Sequence, residues 1–173
     1  LRPSRLRISL QELRNQMQEM STVNMSTPFE DLSKIATLGA QMDIPIERLE
    51  DFTEAVGGFA AITDVSVDEA SEAFGRIVNT FKQAHIEMNG ADTGNEYTQL
   101  ASQIAELGAR SVATESEILK MTNSISASAV SAGIGQDEVL AYAAALTSIG
   151  VKSEWARGSL QRIFGQFDNA AAA

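Results

Sequence analysis

The chain has 173 residues, 44% apolar but only 6% aromatic, with three prolines and no cysteine. That length makes one domain or two small ones with a real core, and the lack of cysteine excludes a disulfide framework, thiol chemistry and thiolate metal sites. A formal charge of −10 argues against gripping a phosphate backbone, which needs clustered Lys or Arg.

The charge is unevenly placed. Between Glu30 and Glu72 eleven carboxylates face only Lys34 and Arg48, whereas Leu1 to Met20 carries four arginines against Glu12 and Glu19. Arg2, Arg5 and Arg7 read as a solvated helix face, with a small basic arm as the other option. Much of the apolar content is alanine, which favours closely packed helices over a sheet sandwich. The chain opens without an initiator Met or a signal-peptide pattern, so we expect a piece of something longer.

In chain order, Ser4 to Met20 predicts a helix striped by Leu6, Leu10, Leu13, Met17 and Met20, and polar Ser21 to Ser26 a break. Thr27-Pro28-Phe29-Glu30 then reads as a start signal: a Thr cap, proline at the first helical position and Glu three on. The helix it opens should bury Leu32, Ile35, Ala36 and Met42, and Asp43-Ile44-Pro45 ends it, because proline disfavours helical geometry in the residue before it. A third helix turns Leu49, Phe52, Val56 and Ala60 inward, with Gly57-Gly58 as a weak point. Ser66 and Glu69 form a second start signal, and the fourth helix should bury Val67, Ala70, Phe74, Ile77, Val78, Phe81 and Met88. Asn89 to Asn95 is the candidate hinge or long loop. A fifth helix runs to about Ala109, Thr114 to Glu117 caps a sixth, and Gly133-Ile134-Gly135 turns into a seventh. No alternating strand pattern occurs, so the predicted fold is all-α, a bundle of about seven to eight helices in stacked hairpins.

A gapless shift of 69 residues lays Ser33–Phe81 on Ser102–Gly150 with ten of 49 positions identical, the turns staying in phase. We expect a duplicated three-helix unit, stacked to bury a continuous core. The expected organisation is an amphipathic helix and linker over residues 1–26, a first helical unit over 27–89 and a second over 90–173.

Few residues invite a chemical reading. His85 is the only histidine, four residues after Phe81; alone it reads as a core or boundary residue, since metal sites need more ligands. Glu47, Glu50, Asp51 and Glu54 make like-charged i,i+4 pairs on what reads as a solvated face. Asp92 to Glu96 lacks the ligand spacing of a calcium loop. No catalytic constellation, metal site or cofactor-binding pattern emerges. Met121 to Gln136 is uncharged with small residues at every fourth position (Ser124, Ser128, Ala132), a pattern for close helix packing; it is too polar for a confident membrane span.

The densest stretch is Ala145 to Phe167. Gly150-Val151 makes a corner, Gly150 suiting a left-handed residue and Val151 pinning the turn to the core. From Lys152 a helix places Ala156, Leu160, Ile163, Phe164 and Phe167 on one face, with Glu154 in its first turn. Trp155 lies one position off that stripe, beside Ser159 and Arg162, at the expected edge of the core and as a possible protein contact.

The residues Gly150, Val151, Ser153, Glu154, Ala156, Gly158, Ser159, Leu160 and Arg162 together resemble the core region of the tail tape measure proteins of long-tailed bacteriophages. The likeness is best over Ser111–Phe167 and departs at Arg157, which separates two small residues expected to be contiguous. The resemblance implies a structural, non-enzymatic protein of the virion. Such a protein lies in the tail lumen, governs tail length during assembly in the host cytoplasm and leaves ahead of the DNA. Its implied partners are other tail proteins (tube, tail tip or baseplate) and other copies of itself, as a homo-oligomer. The ruler rests on the fixed rise of an α-helix, about 1.5 Å per residue; this chain is broken by turns, so we expect a folded module and not the extended ruler. Two other readings stay open, a soluble helical-repeat adaptor that binds a peptide or protein and a helical region of an enzyme whose active site lies elsewhere.

Overall fold

The computed structural model describes residues 10–24 and 27–171, with side chains described over 11–22 and 27–163. Eight α-helices follow in order: α1 Leu10–Glu19, α2 Phe29–Gln41, α3 Ile46–Ile62, α4 Val67–Gln83, α5 Glu96–Arg110, α6 Glu115–Ser131, α7 Gln136–Ser148 and α8 Ser153–Ala171. No strand occurs among the described residues, and the all-α expectation holds. Helix α6 is central, packing against α4, α5, α7 and α8, while α3 packs against α2 and α5. One continuous apolar cluster runs from Leu13 to Ala156.

Four helices end on the same corner. Asp43, His85, Gly133 and Gly150 all have left-handed backbone, with φ of 59, 56, 73 and 82°. After each comes an apolar residue (Ile44, Ile86, Ile134 or Val151) whose N–H bonds back five residues to a helix carbonyl, at 3.0–3.1 Å. All four pack on the core, Ile44 as a buried residue. This is the Schellman arrangement, which satisfies orphan carbonyls and fastens the turn by one apolar side chain.

The sequence reading finds the two glycine corners and misses the other two. His85 is therefore no core residue: it is exposed at the left-handed position after α4, a place Asp and His occupy more readily than most. Met88 is buried, though in the loop beyond α4, and Val67 and Met42 are only half-buried. In α3 Phe59 is buried where Ala60 was expected.

The helix starts also need correction. Thr27 is buried and donates its hydroxyl to the Gly57 carbonyl at 3.1 Å, while Pro28 stands at the cap of α2 without a side-chain bond. Helix α3 runs unbroken through the predicted weak point at Gly57-Gly58. Ser66 accepts from the Glu69 N–H, whereas the Glu69 carboxylate pairs with Lys120 at 3.3 Å. Thr114 and Glu117 do complete a reciprocal box. The expected break after Met20 is a π-helical turn, Met20–Asn24. Arg2, Arg5, Arg7 and the start of the predicted first helix lie outside the described residues.

The connector 84–95 is held at many points. The Asn89 backbone N–H bonds Gln136 at 3.0 Å, its side chain bonds Asp137 at 2.7 Å, and Gln103 donates to the same Asp137 at 3.0 Å. The Arg48 guanidinium passes beneath the loop, donating to the Ala91 carbonyl at 3.3 Å and facing Glu96 at 3.7 Å. A side chain at Gly94 would collide with that guanidinium.

Candidate interaction surface

The Gly150–Arg162 motif divides into an inner and an outer half. Gly150 turns the chain, Val151 packs on the core, Ala156 is buried and Leu160 is half-buried; these build the corner and seat α8 on α6. Ser153 opens the helix and Glu154 lies in its first turn, where a carboxylate favours the helix dipole. Glu154, Gly158, Ser159 and Arg162 are exposed, and nothing lies near Gly158. Arg157 lines a groove with Asn79 of α4 and Ser124 of α6.

Trp155 is 76% exposed, so it stands clear of the core and not at its edge. Ile163, expected inward, is 47% exposed; the Phe164 and Phe167 side chains lie outside the described residues. Sequence reasoning missed a second apolar surface, the outer stripe of α7 carrying exposed Ala141, Tyr142, Ala145 and Ile149. Its signal was available: α7 is apolar almost all round, a property of helices covered on every side.

The acidic face of α3 is less solvated than expected. Asp51 reaches across to the start of α5, accepting the Tyr97 N–H at 3.2 Å and the Thr98 hydroxyl. Burial, the largest effect, raises its carboxyl above the ordinary value of 3.8 against those bonds. Glu50 is half-buried and accepts from Gln16 of α1 at 3.1 Å; Glu47 and Glu54 remain exposed. Burial likewise raises the Tyr97 phenol, whose ring meets Phe52 edge-on at 5.0 Å.

A cleft of about 430 Å³ opens beside the 84–95 connector, lined among others by Arg48, Lys82, Glu47, Glu87 and Glu96. Its charges are of both signs, so it presents no single ligand chemistry. Among the described residues no group of three or more His, Cys, Asp or Glu is placed to hold a metal ion, and no described helix is long and apolar enough to cross a membrane. The chemistry on offer is that of surfaces: apolar side chains on the outer sides of α7 and α8, and an acidic exterior around α2 to α4. The sequence matches the family of phage-related minor tail proteins over residues 14–173. No curated protein and no solved structure matches it.

Proposed function

Because this chain belongs to the phage-related minor tail protein family, with a structural role in the phage tail, we propose that it is a folded segment of a tail tape measure protein. In this reading it lies in the tail lumen and takes part in setting tail length during assembly in the host cytoplasm. Its partners are tube, tail tip or baseplate proteins and further copies of itself, and it carries no catalytic role. Family membership supports this reading together with the Gly150–Arg162 motif, whose outer residues Trp155, Gly158, Ser159 and Arg162 are exposed and left free by the fold. The acidic body suits passage with DNA, since it has little to offer phosphates.

The segment acts as a module and not as the ruler. The longest helix among the described residues has 19 residues, about 28 Å at the α-helical rise, and turns break the chain between helices. Residues 27–89 and 90–173 act as two copies of one unit. In support, α3 and α6 have 17 residues each and begin 69 apart, and α4 and α7 also begin 69 apart.

An in-frame deletion of residues 27–151 from the tail gene, with particles measured by electron microscopy, tests the reading. A module gives failed assembly, or tails of unchanged length. Tails shortened in proportion to the deleted residues, about 1.5 Å each, would mean that the segment is ruler after all.

A further inference from the structure

Helix α7 is left half-dressed. Its inner side buries Val139, Leu140, Ala143 and Ala144, yet Glu138, Ala141, Tyr142, Ala145 and Ile149 recur at helical spacing along the outer side and all are exposed, Tyr142 by 47% and Ile149 by 76%. The matching helix of the first unit is differently placed. By the 69-residue offset Tyr142 corresponds to Ala73 of α4, which is buried, on a helix that α6 covers. Glu138 corresponds to Glu69, which pairs with Lys120 of α6. Among the described residues no helix stands against α7 in that position.

The ends of the stripe carry opposite charge. Glu138 lies at its start and Lys152 at the corner beyond Ile149, both exposed and neither in an ion pair among the described residues. Ala145 is midway between them. Two copies laid side by side in parallel would bring Glu138 against Glu138 and Lys152 against Lys152. Laid antiparallel about Ala145, each Glu138 meets the partner's Lys152, each Tyr142 covers the partner's Ile149, and the small Ala141 and Ala145 let the backbones approach.

We propose that α7 is a self-docking surface on which a second copy of this chain binds antiparallel, through a two-fold axis near Ala145. Closed two-fold contacts are the commonest form of self-association. A single helix stripe offers less than the roughly 800 Å² per partner of a standard interface, so the dimer is weak and forms at high local concentration. The inference deepens the self-association in the tail reading without needing it.

Sedimentation equilibrium of the 173-residue chain at rising concentration is the test, with circular dichroism to verify that each variant folds. Wild type should approach twice its mass of 18.5 kDa. Ala145→Arg should stay monomeric, and Glu138→Lys and Lys152→Glu should each weaken the dimer tenfold or more. The Glu138→Lys/Lys152→Glu double variant should recover it. A monomer at every concentration, a dimer indifferent to Ala145→Arg, or no recovery in the double variant overturns the proposal; each leaves the tail-length deletion test standing.

Discussion

Helices α3 and α4 begin 69 residues before α6 and α7, and the two sets, α2 to α4 and α5 to α7, differ in filling. Several positions 69 residues apart are buried alike: Ile35 with Ile104, Val56 with Ile125, Thr53 with Thr122, Ala70 with Val139. Yet Phe52, Phe59 and Phe74 of the first set stand opposite Met121, Ser128 and Ala143 of the second. In the first, Phe59 and Phe74 tilt together at 5.2 Å; the second relies on small residues. The corners differ too, with Asp43 and His85 at left-handed positions in the first and Gly133 and Gly150 in the second. Caps and corners set where helices begin and end, while side-chain volume sets how the space between them is filled.

The filling should give the largest effect. Phe74 and Ala143 are both fully buried at equivalent sites. Phe74→Ala should cost about 3–5 kcal/mol through lost burial and a cavity, and Ala143→Phe about 1–3 kcal/mol through overpacking, in urea unfolding. If each variant stays within about 1 kcal/mol of wild type, the two interiors are interchangeable and the contrast collapses.

The corners come next. Gly150→Ala should lose about 1 kcal/mol, because a Cβ is strained at φ 82° even where the space around it is open. His85→Gly should gain up to about 1 kcal/mol by relieving the same strain, part of the gain being offset by the freer unfolded chain. Shifts of the same sign in thermal melts would show that the corners are not equivalent.

The smallest effect concerns Asp51, which joins the two sets by capping α5 from α3. Its folded carboxyl holds a proton more readily than the unfolded one, whose value is 3.8. Its contribution is therefore full below pH 3.8 and is lost as pH rises through the raised folded value. Asp51→Asn should flatten that decline. The wild-type-minus-variant difference in melting temperature should fall as pH climbs above 3.8, and a rising difference would mean that the bonds from Thr98 and Tyr97 outweigh burial.

Much of the fold was legible in the sequence. The all-α class, the helix order, the glycine corners and the Thr114 box all follow from residues within about five positions of one another. The candidate surface was less so. Trp155 was read at the edge of the core, and Tyr142 and Ile149 went unremarked, because apolar spacing tells that a face wants cover without telling whether cover exists.

By itself the sequence determined where helices start, stop and turn, because caps, left-handed residues and periodicity act through bonds to near neighbours along the chain. Only the tertiary structure decided what each face meets. Thr27 went to the Gly57 carbonyl and not to its own helix, Asp51 to the start of α5, and the outer side of α7 to solvent. Those outcomes depend on groups some 30 to 50 positions away in the chain, and no local pattern encodes the distance between two elements once the core has closed.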